Sequence, residues 1–203
     1  MHLSAEQMDT LTEMVNIGFG RAAASLSALV RQRIVLMAPE IALYPLEELP
    51  HQLSFLSPEV TSVHQIFSGA INGDAIMLLD YESASILVNL LTGEPPVPRP
   101  LTSSDREALT EIGNILLNAF IGTLGNLLKV KIFFAVSRLN IEAVHDMLQT
   151  LHIGGNEIRY TLVVKTYFET SDGSVIGYVV MVMGLESLER LSAALDPSPE
   201  SPK

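Results

Sequence analysis

The sequence predicts an α/β (α+β) sandwich built as a pseudo-two-fold repeat, with two long helices lying on a shared, mostly antiparallel sheet. Three observations lead there. Residues 9–20 read DTLTEMVNIGFG and residues 107–118 read EALTEIGNILLN; laying Glu13 on Glu111 also lays Leu11, Thr12 and Asn16 on Leu109, Thr110 and Asn114, all at one offset of 98 residues. Each window is followed by β-rich runs joined by hairpin-type turns, Asn72-Gly73-Asp74 and Ser171-Asp172-Gly173. Between the two copies lies EPPVPRP (94–100), whose four prolines cannot sit inside regular structure.

The first long helix starts at Ser4, an N-cap residue with Gln7 three positions on, and runs to near Arg31. The second starts at Thr102, with Asp105 as a weaker capping-box partner, and runs to near Leu128. Strand-like sequence follows the first helix at 33–43, 60–70 and 75–79, and the second at 131–144, 157–169 and 174–183. Each half closes with a helix, 82–93 and 185–195, in which Glu82-Ser83 and Glu186-Ser187 stand in register. Each half therefore reads helix–strand–strand–strand–helix. Either half alone would leave an open sheet edge, which favours one shared sheet. The expected layout is a single domain over 1–195, made of repeats 1–93 and 101–195 joined by linker 94–100, with a disordered tail over 196–203.

Hydrophobic residues make up 48% of the 203, enough for a substantial core, and charged residues only 17%. A net charge of −11 argues against nucleic acid or an anionic membrane surface as partner. With no cysteine there is no thiolate nucleophile, disulfide or cysteine-ligated zinc. The N-terminus lacks a signal-peptide pattern, and the longest apolar run, Val175 to Leu185, is short of the roughly 20 residues a membrane span needs. A cytoplasmic protein without membrane insertion is the expectation.

At about 100° per residue, Asp9, Glu13 and Asn16 share one face of the first helix, while Leu11, Met14, Val15, Ala22 and Leu29 cluster opposite. In the second helix the polar stripe is Glu107, Glu111 and Asn114, continued by Asn118, opposite Leu109, Ile112, Leu116, Phe120 and Leu127. A solvated face accounts for most such stripes. Here a poor helix former, Asn, recurs in mid-helix at the same distance from a Glu. Duplication alone could preserve the pair. A carboxylate and a carboxamide on one exposed face can also do chemistry.

The pattern Asp9-x3-Glu13-x2-Asn16-x22-Pro39 resembles the active-site signature of the CheC/CheX/FliY family of chemotaxis phosphatases: Asp or Ser, then Glu, Asn and a distant Pro. The resemblance covers almost the whole chain and is nearest in layout to CheC, which carries one signature per half. The second half departs from it, with Glu107 in place of Asp or Ser and Ser137 in place of Pro, but keeps Glu111 and Asn114. The resemblance implies hydrolysis of the aspartyl phosphate of a CheY-like response regulator in chemotaxis or related two-component signalling. It makes Asn16 and Asn114 the residues that position the attacking water, and Glu13 and Glu111 those that pair with a lysine of the regulator. Asp9, Pro39 and Glu107 would support the sites. It implies no cofactor or metal in this chain, Mg²⁺ belonging to the regulator, and a CheD-like deamidase as a further partner. An acyl phosphate needs an in-line water and charge compensation, not a new nucleophile. A carboxamide offers donor and acceptor to that water, and a carboxylate grips a lysine.

Other residues suggest less. The five histidines (His2, His51, His64, His145, His152) have no ligand spacing, Ser25 and Ser27 lie in an Ala-rich helix with no nearby His, and Gly154-Gly155-Asn156 reads as a turn. Gly18, Gly20 and Gly113 inside the helices suggest close packing, or clearance for a docking partner. The competing function is a non-catalytic CheC-like docking module that binds a response regulator, a CheD-like deamidase or a flagellar switch component.

Overall fold

Reciprocal caps set the two long helices. In a computed structural model describing residues 3–54, 56, 59–151 and 159–196, α1 (Ala5–Val30) begins at Ser4. The Ser4 hydroxyl accepts from the Gln7 backbone N–H at 3.1 Å, and Gln7 Oε1 accepts from the Ser4 N–H at 2.8 Å. The same box opens the second long helix, Ser103–Leu128: Thr102 Oγ1 accepts from the Asp105 N–H at 3.2 Å, and Asp105 Oδ2 from the Thr102 N–H at 2.7 Å. The shorter Asp completes its box as fully as Gln does. Both helices end on a left-handed residue that is not glycine, Arg31 (φ 56°) and Lys129 (φ 55°), again at the repeat offset.

Among the described residues, seven strands form one antiparallel sheet: β1 (Val35–Pro45), β2 (Glu59–Gly69), β3 (Gly73–Asp80), β4 (Ile132–Phe134), β5 (Arg138–Ala143), β6 (Arg159–Thr170) and β7 (Gly173–Gly184). Their order is β1-β6-β7-β3-β2-β4, with β5 sharing the outer edge of β2. The halves interleave. β1 pairs with β6 of the second half, β4 and β5 pair with β2 of the first, and β3 meets β7 between them. Each half's first strand thus covers an edge that the other half would leave open.

The other helices are α2 (Leu49–Gln52, after a 3₁₀ turn over Leu46–Glu48), α3 (Tyr81–Thr92), α5 (Val144–Leu151) and α6 (Leu185–Leu195), the Ser103–Leu128 helix being α4. Helices α1, α3, α4 and α6 bury one face of the sheet over Val63, Phe67, Met77, Val179 and Met181. Helices α2 and α5 cover Val60, Ile76, Leu78, Val180 and Val182 on the opposite face. The middle strands are therefore buried on both sides and read as continuous apolar runs.

The structure corrects the sequence reading at several points. The 131–144 strand is broken at 135–137 into β4 and β5. Helices α2 and α5 have no counterpart in the long-range periodicity, because each is too short to show one. Asp80, whose carboxylate accepts from the Ser83 N–H at 2.7 Å, caps α3 one position earlier than expected. Helix α4 is long and apolar enough to cross a membrane by length and composition, a test that unbroken apolar runs miss. It is instead packed into the core, with Leu109, Leu116, Leu117, Phe120, Ile121 and Leu124 all at 0% exposure. The chain beyond Asp196, the Gly154-Gly155-Asn156 turn, residues 157–158, His2 and His152 lie outside the described residues.

Candidate functional site

Helices α1 and α4 pack on each other through their middles. The rings of Phe19 and Phe120 meet edge to face with centroids 6.1 Å apart. A Cβ at Gly18 would lie 3.0 Å from Thr123 Oγ1 and 3.2 Å from the Ala119 carbonyl oxygen, so Gly18 permits the helices to approach. Gly113 does the same toward the sheet, where a Cβ would lie 2.5 Å from Val63 Cγ1. Gly20 differs: it is exposed, and a Cβ there would meet nothing within 4 Å. It lies one turn beyond Asn16, on the polar stripe.

With their cores pinned, both helices turn the polar stripes outward. Asp9, Glu13 and Asn16 are exposed, as are Glu107 and Glu111; Asn114 is half-buried. Among the described residues, no side-chain hydrogen bond or ion pair engages Glu13, Asn16, Glu111 or Asn114. Each pair is an unspent carboxylate and carboxamide on a rigid helix, able to contact a second molecule. The surfaces of the two halves are not identical. Glu107 and Glu111 form one wall of an open groove of about 410 Å³ with an apolar floor.

Pro39 falls within β1, an edge strand, where the register against β6 shifts between Met37 and Glu40. Edge strands and irregularities are where a strand tolerates proline; the Pro39 side chain lies outside the described residues. Its counterpart Ser137 is buried in the break between β4 and β5, and its hydroxyl has no hydrogen-bond partner among the described residues. The first strand of each half is thus interrupted at the matching position.

Asp105 anchors α4 and with it the second stripe. Its carboxylate takes Arg99 Nη1 at 2.5 Å and Nη2 at 3.1 Å, as well as both Thr102 donors. The Arg99 guanidinium first, and then Thr102, hold the Asp105 carboxyl well below the usual carboxylate range. Ser27 has a structural role: its hydroxyl accepts from the Ile34 N–H at 2.9 Å and ties the end of α1 to the approach to β1. Among the described residues no group of three or more His, Asp or Glu side chains could hold a metal.

Leu29 corrects the helical-wheel reading. Its angle places it on the core face, yet it is 55% exposed. Periodicity gives the direction of a side chain, not whether another element lies beneath the last turn. The groove escapes the sequence for the same reason: three helix ends meet there, and no single segment encodes it.

No protein-family model matches the chain. The chain is similar to the CheY-P phosphatase CheC of Bacillus subtilis, at 24% identity over 97% of both chains. It is also similar to the flagellar motor switch phosphatase FliY of the same organism, at 22% identity over 88% of this chain and 46% of that protein. Among solved structures, Thermotoga maritima FliY has the same fold (TM-score 0.76, 18% identity, 96% of this chain and 98% of that one). The FliM middle domain from H. pylori shares it as well (TM-score 0.69, 12% identity, 95% and 99%).

Proposed function

We propose that this chain, a member of the CheC/CheX/FliY family, is a chemotaxis phosphatase that removes the phosphoryl group from the aspartate of a CheY-like response regulator. One observation carries the reading: a Glu-Asn pair occurs twice on outward helical faces, and among the described residues neither pair has an intramolecular partner. In the proposed mechanism Glu13 or Glu111 pairs with a lysine beside the regulator's phosphoaspartate and fixes the docked pose. Asn16 or Asn114 then holds a water in line with the phosphorus, its carboxamide serving as both donor and acceptor. The bond from phosphorus to the aspartyl oxygen breaks as the water oxygen attacks. The regulator's Mg²⁺ supplies charge compensation, so this chain needs to contribute position alone. Asp9 and Glu107 extend each acidic face, and Pro39 is assigned a supporting role at the first site. The proposed partner places the protein in the cytoplasm, and a CheD-like deamidase is a second proposed partner, testable by co-purification.

Fold alone does not separate a phosphatase from a docking module. The free Glu-Asn pairs favour turnover, since a pure scaffold has no evident need of them. Loss of phosphate from a phosphorylated CheY-like regulator, followed with and without this protein, discriminates the two. Acceleration is expected. Tight binding without acceleration would favour the docking module. At saturating regulator, Asn16→Ala is expected to lose more activity than Asn114→Ala, because the first half carries the full four-residue pattern.

A further inference from the structure

We propose that the groove beside Glu107 and Glu111 seats an apolar side chain of the response regulator next to its lysine, making the second site the one that selects the regulator by affinity. The proposal rests on the phosphatase reading and concerns the same surface. The groove floor is Val88 and Leu91 of α3 and Ile112 of α4, all buried, and its outer wall is the half-exposed Leu29 of α1.

Beside the first site, polar groups close the matching place. Laying Glu82-Ser83 of α3 on Glu186-Ser187 of α6 puts Val88 on Ser192 and Thr92 on Asp196. There, Gln7 Nε2 donates to the Ser192 carbonyl oxygen at 3.1 Å, Ser192 Oγ at 3.0 Å and Asp196 Oδ1 at 2.7 Å, joining α1 to α6. In the second half the residue matching Gln7 is Asp105, which turns to Arg99. Val88 and Thr92 face the groove with no such closure. The repeat therefore has a polar joint beside one site and an apolar opening beside the other.

Charge complementarity identifies the occupant. Glu107 and Glu111 stand four residues apart on one helix, a like-charge spacing that is unfavourable without a cation. Helices α1 and α3 both end at the groove, and neither has a basic residue in its last turn, so two negative dipole ends add to the carboxylates. Arg31 and Arg106, adjacent in sequence to groove residues, do not line it and pair with neither carboxylate. A surface offering an apolar residue beside a lysine satisfies both walls. The phosphoaspartate's lysine invoked above supplies the cation.

Leu29 lies outside the catalytic machinery, so Leu29→Ser tests the groove. Two backgrounds isolate the sites: Asn16→Ala leaves the second working, and Asn114→Ala leaves the first. With the phosphorylated CheY of the same organism as substrate, L29S is expected to raise KM about tenfold in the Asn16→Ala background, with kcat unchanged. It should have no effect in the Asn114→Ala background, and Leu29→Met should restore KM. Affinity for the beryllofluoride-activated regulator, measured in parallel, should weaken in both backgrounds, because neither Asn→Ala change removes the second binding surface. An unchanged KM and affinity, or equal KM changes in both backgrounds, overturns the proposal. Loss of affinity on L29S without turnover in either background would retain the groove and overturn the phosphatase reading. Absence of binding in both overturns both.

Discussion

Gly113→Ala is the sharpest test of how the second site is held. The added Cβ would lie 2.5 Å from Val63 Cγ1, 2.7 Å from Val63 Cβ and 3.0 Å from Val63 Cγ2. Carbon atoms in contact prefer about 3.5–4.0 Å, so the gap must open by roughly 1 Å. Val63 cannot yield: it is fully buried, and β2 is held between Met77 of β3 and Leu139 of β5. Rotating its χ1 exchanges the methyls but leaves Cβ in place. The helix must move instead, and with it Glu111 and Asn114. Overpacking of this kind costs about 1–3 kcal/mol, here about 2–3 because three carbons crowd the added atom, and Ala recovers about 1 kcal/mol of helix propensity. We expect a net loss of about 1–2 kcal/mol, read by urea unfolding, with Tm falling about 2–4 °C per kcal/mol. Val63→Ala removes the two Cγ contacts but keeps the Cβ at 2.7 Å, so it should relieve part of the clash, and a double-mutant cycle should show favourable coupling of up to about 1 kcal/mol. Wild-type stability in Gly113→Ala, or strict additivity with Val63→Ala, would show that the contact does not fix the helix.

Other outcomes follow from the same geometry. Gly20→Ala, with open space around it, should stabilise the protein by up to about 1 kcal/mol, seen as a higher urea midpoint. Gln7→Ala removes all three bonds from α1 to α6 and should cost about 1–3 kcal/mol by the same assay. The lowered Asp105 pKa gives a pH signature. Its stabilisation is complete above the unfolded value near 3.8 and is lost as pH falls through the folded value. Stability of the wild type should therefore fall below about pH 4 more steeply than that of Asp105→Asn, a difference that unfolding midpoints between pH 2 and 6 would show.

Much of this organisation is legible in the sequence, for identifiable reasons. Ser4 with Gln7 and Thr102 with Asp105 are local signals, and local chemistry alone makes the caps. The strands of the two hairpins announce themselves because their turns are short and their cores apolar on both faces. Pairing across the halves is different. No residue of β1 states that its neighbour is β6, and the interleaving emerges only when each half needs an edge covered. Leu29 shows the limit at the scale of one side chain. Its period assigns it to the core, but only the ends of α3 and α4 decide whether anything covers it. The Glu-Asn stripes are visible because helical angle fixes their face. Their difference in surroundings is not, since Gln7 and Asp105 look alike as capping partners yet bond to different elements.

If the two carboxamides position the water while the rest of each surface binds, removing both should separate turnover from binding. Dephosphorylation of the CheY-like regulator by the Asn16→Ala/Asn114→Ala double variant reads this separation. The rate should fall to the regulator's own, while the variant unfolds at the wild-type midpoint and still binds the beryllofluoride-activated regulator. A folded double variant that dephosphorylates the regulator at the wild-type rate would mean that the carboxamides do not hold the water.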